Sequence, residues 1–420
     1  MRKRYFWKTL LMALLSVNSL QAKPEVIDWK VLSSDKFNAS DITSVDVFID
    51  KDQKVFIEVY GPGYLWLNNR WLSTRQYGGC LNGFVKDGKI HLVFMADEQH
   101  IDIYIVEEDF ALENRITIGD FPRYPGIEQV IYVPGENDVY YLLGSRQQLP
   151  RNPVEFMRDV LSGGHGLYYE KPVWAEIQGQ KLLEYQTIPY GGKIDESYNI
   201  KEVLTGKDTV YFFGFRIQKE YRKWPAPNIL HYAEYNVKKK KLVRSQDIYE
   251  KLPYKDENDE HRYFYWHVSA DSFNDDLFIA FSWHGVRYYN PLQPHSIKVN
   301  MENINSPIYY SQRSNGTAFS DTEIIGNGIL PLVRVDSMGN VHVIWANSNG
   351  NIIHKVKKGD KWSNEQIILN GGIDTDKVWE KHCPDKMWLK NMSAEFDKDN
   401  NLNVVFPSNG KLVYAKIRMN

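Results

Sequence analysis

From Val45 onward the chain alternates apolar and polar residues in short runs broken by Asp, Asn and Gly. The stretch VDVFIDKDQKVFIEVYG, Val45 to Gly61, shows the form: two runs of period two flank Asp50-Lys51-Asp52-Gln53. Period two puts successive side chains on opposite faces of a strand, and the polar break supplies a hairpin turn. The same form recurs roughly every 40 to 65 residues: at Gly83 to Glu107, Ile127 to Arg146, Ile200 to Ile217, Phe264 to Asn290, Leu332 to Trp345 and Ser393 to Phe406. The last three are the most alike, each reading apolar strand, Asp-rich or Asn-rich turn, apolar strand. Most units are followed by a more polar hairpin: GYLWLNNRWL after the first, NILHYAEYNVKKKKLV after the fourth, IYYSQRSNGTAFS after the fifth and NIIHKVKKGDKWS after the sixth. No amphipathic helix competes beyond a short stretch near Val154 to Leu161.

Four strands per unit in seven units predict an all-β fold, a seven-bladed β-propeller of four-stranded antiparallel blades. A β-sandwich with a second domain explains the strands but not their repeated order. Long insertions interrupt the repeat at Gln147 to Leu167, Lys219 to Asn228, Tyr254 to Arg262, Tyr288 to Pro307 and Gly371 to Met392. Such loops are where a propeller carries ligand-binding groups.

Composition narrows the function. Aromatic residues make up 14% of the 420 residues, which favours strands and sugar-facing surfaces, and the net charge of −2 gives no basic footprint for nucleic acid. The N-terminus MRKRYFWKTLLMALLSVNSLQA has a basic start, an apolar core and a small residue at Ala22, so residues 1–22 read as a signal peptide and 23–420 as one propeller domain, secreted or periplasmic. No further run is long and apolar enough for a membrane span. Cys80 and Cys383 lie towards the two ends of the mature chain; in an exported protein they are candidates to pair, with two buried free thiols as the alternative. His382 and Cys383 lack further ligands at zinc spacing. No cofactor is called for, and a structural metal ion stays open.

P-loop, GxGxxG, HExxH and GxSxG motifs are absent, so candidate chemistry comes from clusters. His165 sits among Gly163, Gly164 and Gly166, ahead of Tyr168 and Tyr169. Trp266 and His267 open one run of the fifth unit; Trp283, His284, Arg287 and Tyr288 close the other, so the hairpin brings them to one rim. Arg216, Arg222 and Trp224 form a basic, aromatic set suited to acidic sugars. Asp and Glu are plentiful, but most fall at the repeated turns, where they read as structural. A glycosidase needs two carboxylates across the bond. Elimination at a uronic acid instead needs a cation or protonated His against the carboxylate, a His or Tyr to take the C5 proton, and an acid for the leaving oxygen. His165, His267, His284, Arg287 and Tyr288 match that inventory, with Tyr168, Arg216, Arg222, Trp224, Trp266 and Trp283 as substrate-binding groups.

The strand–turn–strand pattern, as in VDSMGNVHVIW, resembles BNR-type propellers. With the length, leader and His/Tyr/Arg loops, the chain resembles the seven-bladed propeller lyases acting on ulvan and the related family acting on rhamnose–glucuronate linkages. That resemblance implies a partner that is an acidic polysaccharide or oligosaccharide, degraded by β-elimination. A glycoside hydrolase, an oligosaccharide dehydratase and a non-catalytic glycan-binding propeller remain alternatives. The strict sialidase Asp-box is absent.

Overall fold

The alternating runs all become strands. In the computed structural model the described residues are 24–32, 37, 42, 44–67, 69–77, 79–97, 100–107, 111–118, 126–134, 139–148, 169–183, 186–188, 197–217, 228–251, 262–288, 297–298, 306–371, 392–408 and 411–419. They form seven antiparallel sheets, each built on four strands, with a short extra strand on three of them. Blade one is Ser44–Ile49, Val55–Tyr60, Tyr64–Leu67 and Arg70–Ser73; blades two to six begin at Gly79, Gly126, Ser197, Arg262 and Ile329. Blade seven takes Ser393–Phe396, Asn401–Ser408 and Lys411–Arg418 from the C-terminus, and its fourth strand, Glu25–Val31, from the N-terminal side. Trp29 pairs with Ala415 in that closing ladder. The first strands of successive blades stand side by side around the ring and enclose the central channel.

The Asp turns are structural, as expected. The Asp336 carboxylate accepts backbone N–H bonds from Met338 (2.9 Å) and Asn340 (2.8 Å). Asp397 does the same with Asp399 (3.0 Å) and Asn401 (2.8 Å), and Asp50 with Asp52 (2.9 Å) and Lys54 (2.8 Å). Neighbouring turns are stitched together: Ser337 N–H to Asn400 Oδ1 (3.0 Å) joins blade six to seven, Lys398 N–H to Gln53 Oε1 (2.7 Å) joins seven to one, and Lys51 N–H to Gly88 O (3.0 Å) joins one to two. Each bond satisfies a turn N–H that has no ladder partner.

Apolar side chains of facing blades fill the spaces between them. Trp345 of blade six is fully buried and packs over Gly326 of blade five, where any Cβ would stand 2.4 Å from the indole. The outer hairpin expected at IYYSQRSNGTAFS forms only in part. Pro307–Arg313 is a strand, but its partner starts at Glu323. Phe319 leaves the ladder to enter the core between blades four and five, where it packs on Tyr232 and Phe213; burying a phenyl ring outweighs a few exposed ladder bonds.

The strand order also sorts the connections. Turns between first and second strands lie on one face of the disc. Links between second and third strands, and between blades, leave from the other. The five insertions noted in the sequence all join strand ends on that second face.

Candidate active site in the central channel

An innermost strand has one edge without a neighbour, so its backbone groups need partners. Polar side chains of adjacent blades supply them. Ser269 Oγ of blade five accepts from Val333 N–H of blade six (3.2 Å), and Asp271 Oδ2 from Val335 N–H (2.8 Å). Ser393 Oγ of blade seven accepts from Val47 N–H of blade one (3.2 Å), and Asn82 of blade two bonds both N–H and C=O of Val130 in blade three (2.9 and 2.8 Å). The groups that lock the blades together therefore also line the channel.

Arg334 is the hub of this lining. Its Nε donates to Ala394 O (2.6 Å) and its Nη1 to Val333 O (2.7 Å), with Ser269 Oγ at 3.4 Å. Glu395 Oε2 lies 3.7 Å from Nε. Burial works against the Arg334 charge, yet Glu395, Asp271, Glu202 and Asp46, from blades seven, five, four and one, hold its pKa above the ordinary value. Burial pushes the Asp271 carboxyl up, against the pull of Arg334 and of the Ser272 and Val335 N–H groups. Glu395 is 46% exposed and so open to a ligand. Arg334 thus feels the charge of four carboxylates contributed by four other blades.

Blade one adds a buried carboxyl. Glu58 stands directly opposite Asp46 in the ladder, is 1% exposed, and neither of its oxygens has a hydrogen-bond partner. Cys80 and Tyr60 lie beside it, outside strict bonding distance. Burial, and secondarily the Asp46 charge, push Glu58 up to about 7. Tyr60 Oη donates to Asp46 Oδ2 at 3.4 Å and Ser393 Oγ to Asp46 Oδ1 at 3.3 Å. Cys80 is a free thiol on the first strand of blade two, its Sγ donating to Val93 O (3.4 Å). It is not half of a disulfide; Cys383 lies outside the described residues. Among the described residues no three His, Cys, Asp or Glu side chains gather as metal ligands.

The residues singled out in the sequence divide into three groups. His165, Tyr168, Arg222 and Trp224 lie outside the described residues, as do the leader and the stretch 154–161. Arg216, Trp266, His284, Arg287 and Tyr288 are placed by the backbone of their strands: Arg216 pairs with Tyr198 and Ile229, Trp266 with Trp283, His284 with Tyr265, Arg287 with Arg262 and Tyr288 with Ile297. His267 pairs with Ser282, so the His267 and His284 positions are two rows apart in the ladder. Arg287 stands five rows from His267, about 17 Å along the strand. Trp283 is partly buried against the core between blades four and five, beside Tyr249.

Beside the carboxylates of the turns, Asp46, Glu58, Glu202, Asp271 and Glu395 sit on strands. Their signal in the sequence is a charged residue inside an otherwise apolar run, as in SAEFD for Glu395.

No protein-family model matches the sequence, and no curated protein matches it. Solved structures match at low similarity. A protein of unknown function from Dyadobacter fermentans is 10% identical with a TM-score of 0.48, covering 94% of this chain and 99% of its own. The GH93 α-L-arabinofuranosidase of Fusarium graminearum, in complex with arabinobiose, is 10% identical with a TM-score of 0.43, covering 95% and 98%. The α-L-arabinanase of Penicillium chrysogenum, also with arabinobiose, is 9% identical with a TM-score of 0.42 and the same coverage. Likeness at this level says nothing of chemistry in this chain.

Proposed function

We propose that this protein is an exported carbohydrate-active enzyme that hydrolyses glycosidic bonds of an oligosaccharide or polysaccharide at the mouth of its channel. The observation that carries the reading is the set of carboxylates from blades one, four, five and seven around Arg334. Hydrolysis of a glycoside asks for one carboxyl that gives a proton and one that activates water or attacks carbon, and the channel offers carboxyls in unlike surroundings: Asp271 enclosed and bonded by backbone N–H groups, Glu395 open. The aromatic-rich composition supports a sugar ligand. The basic and apolar residues before Lys23 support export.

β-Elimination at a uronic acid is the second reading. It is favoured by the two-row spacing of His267 and His284, while the five rows between His267 and Arg287 leave its carboxylate-neutralising group at a distance.

The test is incubation with neutral and uronate-containing oligosaccharides, followed by mass spectrometry and ultraviolet absorbance. Hydrolysis adds the mass of water at each cleavage, and Asp46→Asn, Glu202→Gln, Asp271→Asn or Glu395→Gln lowers the rate by about 100-fold or more at the acid and base positions. Cleavage with new unsaturation and no added water overturns hydrolysis in favour of elimination. Unchanged oligosaccharides across the panel sink both.

A further inference from the structure

We propose that Asn315, at a turn of blade five, is a spontaneous modification site. The main-chain nitrogen of Gly316 closes on the Asn315 side chain and converts it, through a cyclic imide, to aspartate and isoaspartate. The site is independent of the channel and its chemistry.

An asparagine followed by glycine is open to this reaction because glycine has no side chain to hinder the approach of its nitrogen. The sequence holds such pairs at Asn82, Asn315, Asn327, Asn349, Asn370 and Asn409. Asn409 lies outside the described residues. The structure separates the others by what their reacting groups are bonded to. At Asn82 the side-chain amide is tied at both ends to Val130: Oδ1 accepts from the N–H at 2.9 Å and Nδ2 donates to the C=O at 2.8 Å. At the next three pairs that are held, the glycine N–H is already donated. Gly328 gives its own to Ser306 O (2.8 Å), Gly350 to Asn347 O (2.9 Å) and Gly371 to Asn351 Oδ1 (2.7 Å). Gly316 N–H has no hydrogen-bond partner among the described residues.

The turn is held at its ends while the reacting pair stays open. Thr317 N–H donates to Ser314 O (3.0 Å), and Asn315 and Gly316 have φ of +50° and +67°, the left-handed pair of a type I′ turn. Asn315 N–H donates to Asp276 Oδ1 (2.8 Å) at the start of the blade's second strand. Asn315 is exposed, and a Cβ at Gly316 would meet nothing within 4 Å, so the ring has room to close.

The step balances with water as the co-reactant. The Gly316 nitrogen bonds to the side-chain carbonyl carbon of Asn315, the carbon–nitrogen bond of the amide breaks, and the proton lost by Gly316 leaves with the amide as ammonia. Water then opens the imide at either carbonyl, and nothing is oxidised or reduced. Opening on one side gives aspartate. Opening on the other gives isoaspartate, which routes the main chain through an additional carbon. Beyond the turn, Ser320 N–H rejoins Gln312 O (2.8 Å) and Phe319 enters the core between blades four and five. The longer path therefore pulls on that joint.

The test compares folded protein with protein in guanidinium, both held at mildly alkaline pH and body temperature. After digestion, each Asn-Gly peptide is scored by mass spectrometry for replacement of the amide by an acid. In the folded protein Asn315 is expected to react about 5-fold or more faster than any of the other four described pairs, the factor by which one net hydrogen bond holds a group back. In guanidinium the five rates draw together, because those bonds are gone. Asn315 reacting no faster than the others in the folded protein overturns the proposal. So does a ranking that survives unfolding, which would place the cause in local sequence. The aspartate and isoaspartate forms of the aged protein, separated by chromatography, carry the same charge and differ in the path of the main chain. The isoaspartate form is expected to melt about 2 °C lower; equal melting overturns the link to the joint between blades four and five.

Discussion

Replacing Glu58 by glutamine removes one ionisable group from the interior of blade one and keeps its shape. In the folded protein, burial raises this carboxyl from 4.5 to about 7, with the facing Asp46 adding to the effect. Between these two values the native state binds more protons than the unfolded chain. Stability therefore falls as pH rises through the window, and the full penalty is present above about 7. At 1.36 kcal/mol for each tenfold change in proton affinity, the penalty is about 3 kcal/mol, roughly a fifth to three-fifths of the net stability of an ordinary domain. Glutamine carries no such penalty. It brings its own cost of about 1–3 kcal/mol for a buried, poorly paired amide, but that cost does not depend on pH and cancels when two conditions are compared. The assay is urea unfolding followed by tryptophan fluorescence at about pH 4.5 and about pH 8. Relative to wild type, Glu58→Gln gains about 3 kcal/mol on going from the lower to the higher pH. A relative stability that changes by less than about 0.5 kcal/mol would refute the argument, since Glu58 would then bind protons alike in both states.

The opposite slope is expected at His354. Burial, with the nearby His342, holds its pKa well below 6.5, so below that value the unfolded chain takes up a proton that the native state refuses. Acidification from neutral pH then costs about 1.4 kcal/mol per pH unit, and His354→Leu flattens this part of the stability profile. In the channel, Arg334→Met strands four carboxylates and lowers stability by about 3–5 kcal/mol at neutral pH; the loss shrinks once acid protonates them, as thermal melts across pH would register. Gly328 has φ +153°, and a Cβ there would meet Ala346 O at 2.2 Å. Gly328→Ala is expected to cost more than about 2 kcal/mol, whereas Gly316→Ala, at φ +67° with open space around it, costs about 1 kcal/mol; equal melting shifts in the two variants would contradict the clash.

Local pairing was legible in the sequence because each hairpin carries its own instructions. Val45 to Gly61, Leu332 to Trp345 and Ser393 to Phe406 each hold two period-two runs and the Asp or Asn residues that bend them, and all become the first two strands of a blade. Partners far apart in the chain leave no such trace. EVIDWKV at Glu25–Val31 lies ahead of the first repeat unit, and only its ladder with Lys411–Arg418 shows that it closes the ring. The same limit hid the channel. Arg334, Glu395, Asp271, Glu202 and Asp46 come from five blades, and a charge inside an apolar run does not reveal which other charge it will face. Trp283 packs, partly buried, against the core beside Tyr249 of the neighbouring blade, a contact its sequence position does not announce. Periodicity, a property of neighbours in sequence, determined the strands, their turns and the number of blades. Closure of the ring, the burial of Glu58 and the gathering of carboxylates around one guanidinium were decided by tertiary structure, because dielectric surroundings and charge–charge distances exist only after the blades have packed.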